Sequence, residues 1–209
     1  MKKQFRIAVL ASGNGTNLQA LIDAIKGKKL SAEIKIVISN NSNAYALERA
    51  RKNNIKALHL SHKQFAAPEE FDEALISTLQ AEKIDLICLA GYMKKLSTVV
   101  VRLFANKIVN IHPALLPAFG GEGIFGIHVH EAVIKSGVKV TGVTVHFIDE
   151  VYDHGAILYQ KAVPVRDEDT PETLQKRVLK IEHKVYPYVV GLLAEGKVEV
   201  RDGRVHIKK

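Results

Sequence analysis

Short apolar runs alternate with stretches of helical periodicity over the first half of this chain, and that rhythm restricts it to a narrow set of folds. Arg6–Ala11, Ile34–Ser39, Lys56–Leu60, Leu86–Ala90 and Lys107–Ile111 read as strands, several of them apolar enough to be covered on both faces. Helical periods begin at Asn17 and cover about Ala44–Lys52, Glu69–Glu82 and Ser97–Phe104. A strand, a crossover helix and a second strand bury one another's apolar faces as a βαβ unit, with the two strands parallel. Repetition of that unit predicts an α/β fold with a doubly wound, mainly parallel sheet.

Beyond Pro117 the pattern changes. A glycine-rich loop precedes a helix near Val129–Ser136, and two alternating strands, Thr141–Phe147 and Ile157–Val165, suggest an antiparallel addition to the sheet. A long C-terminal helix is expected from Thr170-Pro171-Glu172, where a threonine cap meets a proline in the first turn, to about Glu195. Pro187 is expected to kink that helix or to end its first half, because proline removes a hydrogen bond and its ring crowds the preceding turn. Val198–Val200 and Arg204–His206 flank Asp202-Gly203 and read as a small hairpin. No repeat, linker or low-complexity stretch interrupts the chain, so residues 1–209 read as a single domain.

Composition narrows the function classes. No apolar run approaches the ~20 residues that span a bilayer, and no charged-then-apolar leader precedes the first strand. A cytoplasmic protein with no membrane partner is expected. The single cysteine, Cys88, lies in Leu86-Ile87-Cys88-Leu89-Ala90; it has no partner for an internal disulfide and suits a reducing compartment. The formal charge of +8 calls for an anionic partner, yet the cations are scattered from Lys2 to Lys209 without the clustered face that nucleic acid requires. Nucleic acid is therefore not expected. A small polyanionic substrate accounts for the excess as well as a solvated surface does.

Three segments could carry chemistry. Ser12-Gly13-Asn14-Gly15-Thr16-Asn17 lies where a strand gives way to a helix, so its N–H groups can face an anion such as phosphate. It lacks a Walker lysine, and the second strand ends in Ser39-Asn40-Asn41 rather than in the acid that a dinucleotide ribose requires, so a nicotinamide cofactor is not expected. An ordinary tight turn is the competing reading. Asn110 and His112 alternate along a buried strand and share one side of it, where both can donate to a developing oxyanion or simply satisfy each other. Asp153, in an acidic loop between apolar strands, can orient a histidine or relay its proton. His128, His130, His146 and His154 lack a Cys or Glu at ligand spacing, and no metal is expected.

Taken together, Ser12–Gln19, Leu89–Met93, Asn110-Ile111-His112-Pro113-Ala114-Leu115-Leu116-Pro117, Val145-His146-Phe147 and Asp153-His154-Gly155 resemble the glycinamide ribonucleotide formyltransferases over nearly the whole chain. The resemblance implies a Rossmann-like formyltransferase fold, with a nucleotide-binding half at 1–110 and a folate-binding, catalytic half at 111–209. It implies transfer of a formyl group from 10-formyltetrahydrofolate to glycinamide ribonucleotide in de novo purine synthesis, without a metal. Asn110, His112 and Asp153 match the catalytic trio. Gly15, Thr16 and Asn17 would cradle the phosphate of the acceptor, and Glu182 would hold its amine. Met93, Lys94, Lys95 and Leu96, with Ile148, Asp149, Glu150, Val151 and Tyr152, would form the folate pocket. A homodimer is left open.

Under the same resemblance, Asn110 and a protonated His112 would stabilise the tetrahedral oxyanion, and Asp153 would keep His112 charged. Two departures stand out. The loop 118–126 is longer and richer in glycine than in many members, and Pro68 stands where some members carry an arginine that meets the folate tail, a role that would pass to Lys94 or another lysine. Formyltetrahydrofolate deformylase and methionyl-tRNA formyltransferase share the fold but usually carry an additional domain, for which this chain is expected to have no room. A non-catalytic nucleotide-binding protein would keep the first loop and have no use for the trio.

Overall fold

The computed structural model describes residues 4–208. Two compact units divide between Val109 and Asn110. The first holds β1 (Arg6–Leu10), α1 (Thr16–Lys26), β2 (Glu33–Ser39), α2 (Tyr45–Lys52), β3 (Lys56–His59), α3 (Pro68–Ala81), β4 (Leu86–Leu89) and α4 (Thr98–Leu103). Its strands follow the order β3-β2-β1-β4 and pair in parallel throughout. Chain order therefore reverses at β1, with β2 on one side and β4 on the other. In open α/β sheets, ligands bind outside the carboxyl ends of the strands at such a switch point, which is where the loop after β1 begins.

Sequence accounts for these elements locally. Ile7–Leu10 of β1 are fully buried, as a central strand covered on both faces requires. In α3, Phe71, Leu75 and Leu79 recur every four residues and form its buried stripe. Pro68 opens that helix and Glu69 and Glu70 occupy its first turn, where the helix dipole favours negative charge.

The second unit takes over within β5 (Ile108–His112), followed by α5 (Ile127–Ser136), β6 (Val140–Phe147), β7 (Ile157–Pro164), α6 (Pro171–Ala194) and the hairpin β8 (Val198–Arg201) and β9 (Arg204–Ile207). Its strand order is β5-β6-β7, with β6 and β7 antiparallel. The doubly wound α/β reading holds, with the antiparallel addition and the long final helix in place. Thr170 caps α6 by accepting from the Thr173 N–H, while Thr173 reaches back to the Thr170 N–H.

Of the two outcomes expected at Pro187, an end to the helix is not found: α6 is a single run with Pro187 buried inside it. Val185, Tyr186, Val189 and Val190 continue the buried stripe past the proline, and their packing outweighs the missing hydrogen bond. None of the described helices is long and apolar enough to cross a membrane.

Candidate active site

The loop after β1 is held open by α2. Ala46 N–H donates to the Gly13 carbonyl at 3.1 Å, and Arg49 Nε donates to the Asn14 carbonyl at 2.8 Å. Both carbonyls are thereby engaged by α2. Gly15 adopts a left-handed φ of 66° as the N-cap of α1, with no capping side chain and no acidic residue in the first turn. The positive pole of that helix end suits an anion. A Cβ on Gly15 would come within 2.8 Å of Ala46 Cβ and 2.9 Å of its Cα. Gly15→Val should therefore destabilise the protein by about 3 kcal/mol, from strained φ and overpacking together. An unchanged unfolding midpoint in denaturant would show that the loop yields freely.

Alternation along β5 places Asn110 and His112 on one side of the strand, as expected. Asn110 Nδ2 lies 3.3 Å from His146 Nε2. His146 Nδ1 is 2.8 Å from the Phe147 carbonyl, which can only accept, so Nδ1 carries the hydrogen and Nε2 is the nitrogen that can accept from the amide. His146 thus sets which way the Asn110 amide faces. One amide hydrogen is committed to the imidazole and the other is left for a ligand.

Asp153 sits between two histidines. Its Oδ2 is 3.6 Å from His112 Nδ1 and its Oδ1 is 3.6 Å from His146 Nε2, while Oδ2 accepts the Gly121 N–H at 2.9 Å. Asp153 holds a left-handed φ of 51°, a strained conformation for a residue with a side chain. Behind the trio, buried Thr144 donates to the Ala114 carbonyl at 2.7 Å and accepts the Leu116 N–H at 3.0 Å, fixing the segment that leaves β5.

The electrostatics correct one expectation. Burial pushes the His112 imidazole down, and although the Asp153 carboxylate and the Phe119 carbonyl push it up, the net result is below the ordinary histidine value. At rest His112 is neutral at pH 7 rather than kept charged by Asp153. Burial also pushes the Asp153 carboxyl up, but the hydrogen bond from the Gly121 N–H and the neighbouring His146 and His112 rings hold it below the usual carboxylate range. The resting pair is an ionised carboxylate beside a neutral imidazole.

His130 on α5, 1% exposed, adds a pH liability. Burial, with the charge of His112, pushes its imidazole down to about 4. The folded pKa lies below the unfolded one, so stability is complete above about pH 6.5 and is lost as the pH falls towards 4, by about 3 kcal/mol. His130→Gln should flatten that loss. Denaturant titrations at pH 7, 5 and 4 that fall equally steeply in parent and variant would assign it elsewhere.

The remaining candidates are distributed as follows. Glu182 is 7% exposed on the buried stripe of α6, an acidic side chain among apolar ones. In the first unit Met93, Lys94 and Lys95 are exposed, the Met93 N–H donates to Ser12 Oγ at 2.8 Å, and the Leu96 side chain is buried. In the second unit Val151 and Tyr152 are exposed beside Ile148 and Glu150, and Asp149 braces their turn by accepting from Val151 N–H at 2.9 Å. His146 was not expected in the site. Its signal was a histidine inside the apolar run of β6, since a buried imidazole needs a partner.

The profile of the formyl transferase family matches residues 5–190. The chain is 42% identical to glycinamide ribonucleotide transformylase 1 from Symbiobacterium toebii, with a TM-score of 0.93 over 100% of this chain and 96% of that one. It is 39% identical to the chloroplastic phosphoribosylglycinamide formyltransferase of Arabidopsis thaliana, over 96% of this chain and 69% of that one. It is 44% identical to the trifunctional purine biosynthetic protein adenosine-3 of Homo sapiens over 95% of this chain, but spans only 19% of that protein's length. The chain belongs to the formyl transferase family, alongside phosphoribosylglycinamide formyltransferases.

Proposed function

We propose that this chain transfers the formyl group of 10-formyltetrahydrofolate to the amine of glycinamide ribonucleotide, in de novo purine synthesis in the cytoplasm. The observation that carries the reading is the half-buried cluster of Asn110, His112 and Asp153, with His112 Nδ1 3.6 Å from Asp153 Oδ2 and Asn110 Nδ2 3.3 Å from His146 Nε2. Family membership and the likeness to glycinamide ribonucleotide transformylase 1 of Symbiobacterium toebii support the choice of acceptor.

The neutral amine attacks the formyl carbon, and the carbonyl electron pair moves onto oxygen. Asn110 donates its second amide hydrogen to that oxyanion. The attacking nitrogen, now positive, gives a proton to the His112–Asp153 pair, whose neutral imidazole and carboxylate can take exactly one between them. Collapse of the intermediate re-forms the carbonyl, breaks the bond to the folate nitrogen and returns the proton to that leaving nitrogen. Gly15, Thr16 and Asn17 are assigned to the acceptor phosphate. The folate is assigned to Met93, Lys94 and Lys95, exposed apolar and cationic side chains of the first unit, and to Ile148–Tyr152 of the second, where Glu150, Val151 and Tyr152 are exposed.

Glu182, 7% exposed on the buried stripe of α6, is assigned to the acceptor amine, as the resemblance to glycinamide ribonucleotide formyltransferases implies. Glu182→Gln should raise KM for glycinamide ribonucleotide about 10- to 100-fold, the worth of a charge-assisted hydrogen bond, and leave KM for the folate near the parent value. Steady-state kinetics with each substrate varied in turn decides it. Equal losses on both sides would refute the assignment.

A further inference from the structure

Phe119, Gly120 and Gly121 have no part in the mechanism so far, yet their main chain touches two members of the trio. His112 Nε2 lies 2.8 Å from the Phe119 carbonyl, and the Gly121 N–H donates to Asp153 Oδ2 at 2.9 Å. The two contacts have opposite polarity, each matched to its partner. The approach depends on Gly120, where a Cβ would come within 2.5 Å of Leu116 Cδ2 and 3.1 Å of Asp153 Cβ. It also holds Phe119 at a φ of 56° and Gly121 at 109°, conformations that persist when their surroundings enforce them.

From this geometry we propose that Phe119–Gly121 is a positioning element that commits His112 Nε2 to the Phe119 carbonyl and so makes Nδ1, facing Asp153, the nitrogen that takes and returns the proton. Gly120 is the residue that permits it. A carbonyl oxygen only accepts, so Nε2 keeps its hydrogen whether the ring is neutral or charged. The lone pair of the neutral ring then sits at Nδ1, 3.6 Å from Asp153 Oδ2. The opposite tautomer would set a nitrogen lone pair against the Phe119 carbonyl lone pairs at 2.8 Å, a repulsive contact. The Gly121 N–H meanwhile stops the carboxylate from turning away from the imidazole.

The inference rests on His112 and Asp153 forming the proton-carrying pair of formyl transfer, and its test separates the two. Nitrogen-15 NMR of the full chain without substrates reads the tautomer of His112 directly, whatever the acceptor. At neutral pH the parent should show a protonated Nε2 and an imine-type Nδ1. Gly120→Val, whose branched side chain must displace Leu116 Cδ2 and press on Asp153 Cβ, should mix the tautomers and lower kcat at least about tenfold, with both KM values within about twofold, as for a catalytic group displaced by a fraction of an ångström. Gly120→Ala should fall between. A parent ring protonated at Nδ1, or a folded Gly120→Val with parental kcat, would overturn the proposal. Should the valine variant not fold, the parent tautomer and the alanine variant decide. The expected tautomer in a protein that does not formylate glycinamide ribonucleotide would support the positioning element and refute the acceptor.

Discussion

Asn110→Ala is expected to lower kcat by about 10²–10³-fold, or about 3–4 kcal/mol in the barrier, the usual loss when one donor to a developing oxyanion is removed. The amide hydrogen it supplies is pre-aimed, because His146 Nε2 accepts the other one at 3.3 Å and is itself fixed through the Phe147 carbonyl. The charge it serves exists only in the tetrahedral intermediate, so binding of both substrates should stay near parental. Measured kcat and KM for the two substrates, with an unfolding curve for the variant, settle this. A loss confined to KM would make Asn110 a ground-state contact and leave the oxyanion without its donor.

Asp153→Asn should lower turnover at least ~100-fold, the scale of a lost acid–base partner. Size and some hydrogen bonding survive, but the carboxylate that pushes the His112 imidazole up does not, and burial then acts with less opposition. The imidazolium becomes harder to form, so the limb of the pH–rate profile that reports His112 should move to lower pH. Protonation of Asp153 itself, already held below the usual carboxylate range, should leave the parent profile unaffected near neutrality. A variant with parental turnover and an unmoved limb would reduce Asp153 to a brace for Gly121.

What the sequence made legible were features with a short period. Burial at β1, β2 and β4 follows from continuous apolar runs, and the shared side of Asn110 and His112 follows from the two-residue repeat of a strand. Glu182 was marked through the resemblance to glycinamide ribonucleotide formyltransferases, not through a pattern of its own. What stayed hidden depends on contacts between distant residues or on main-chain atoms. His146 lies 36 residues from Asn110, and nothing in the spacing announces their hydrogen bond. The Phe119 carbonyl and Gly121 N–H belong to groups every residue carries, so no side-chain pattern signals them. The charge of His112 turns on a balance between burial and Asp153, and burial won. At Pro187, packing in three dimensions overrode the local tendency of proline to end a helix.

The central claim is the acceptor. Purified protein given 10-formyltetrahydrofolate should release tetrahydrofolate only when glycinamide ribonucleotide is present, with one formylated ribonucleotide formed for each folate released. Release of tetrahydrofolate and free formate at the same rate with or without the ribonucleotide would identify water as the acceptor and contradict the account.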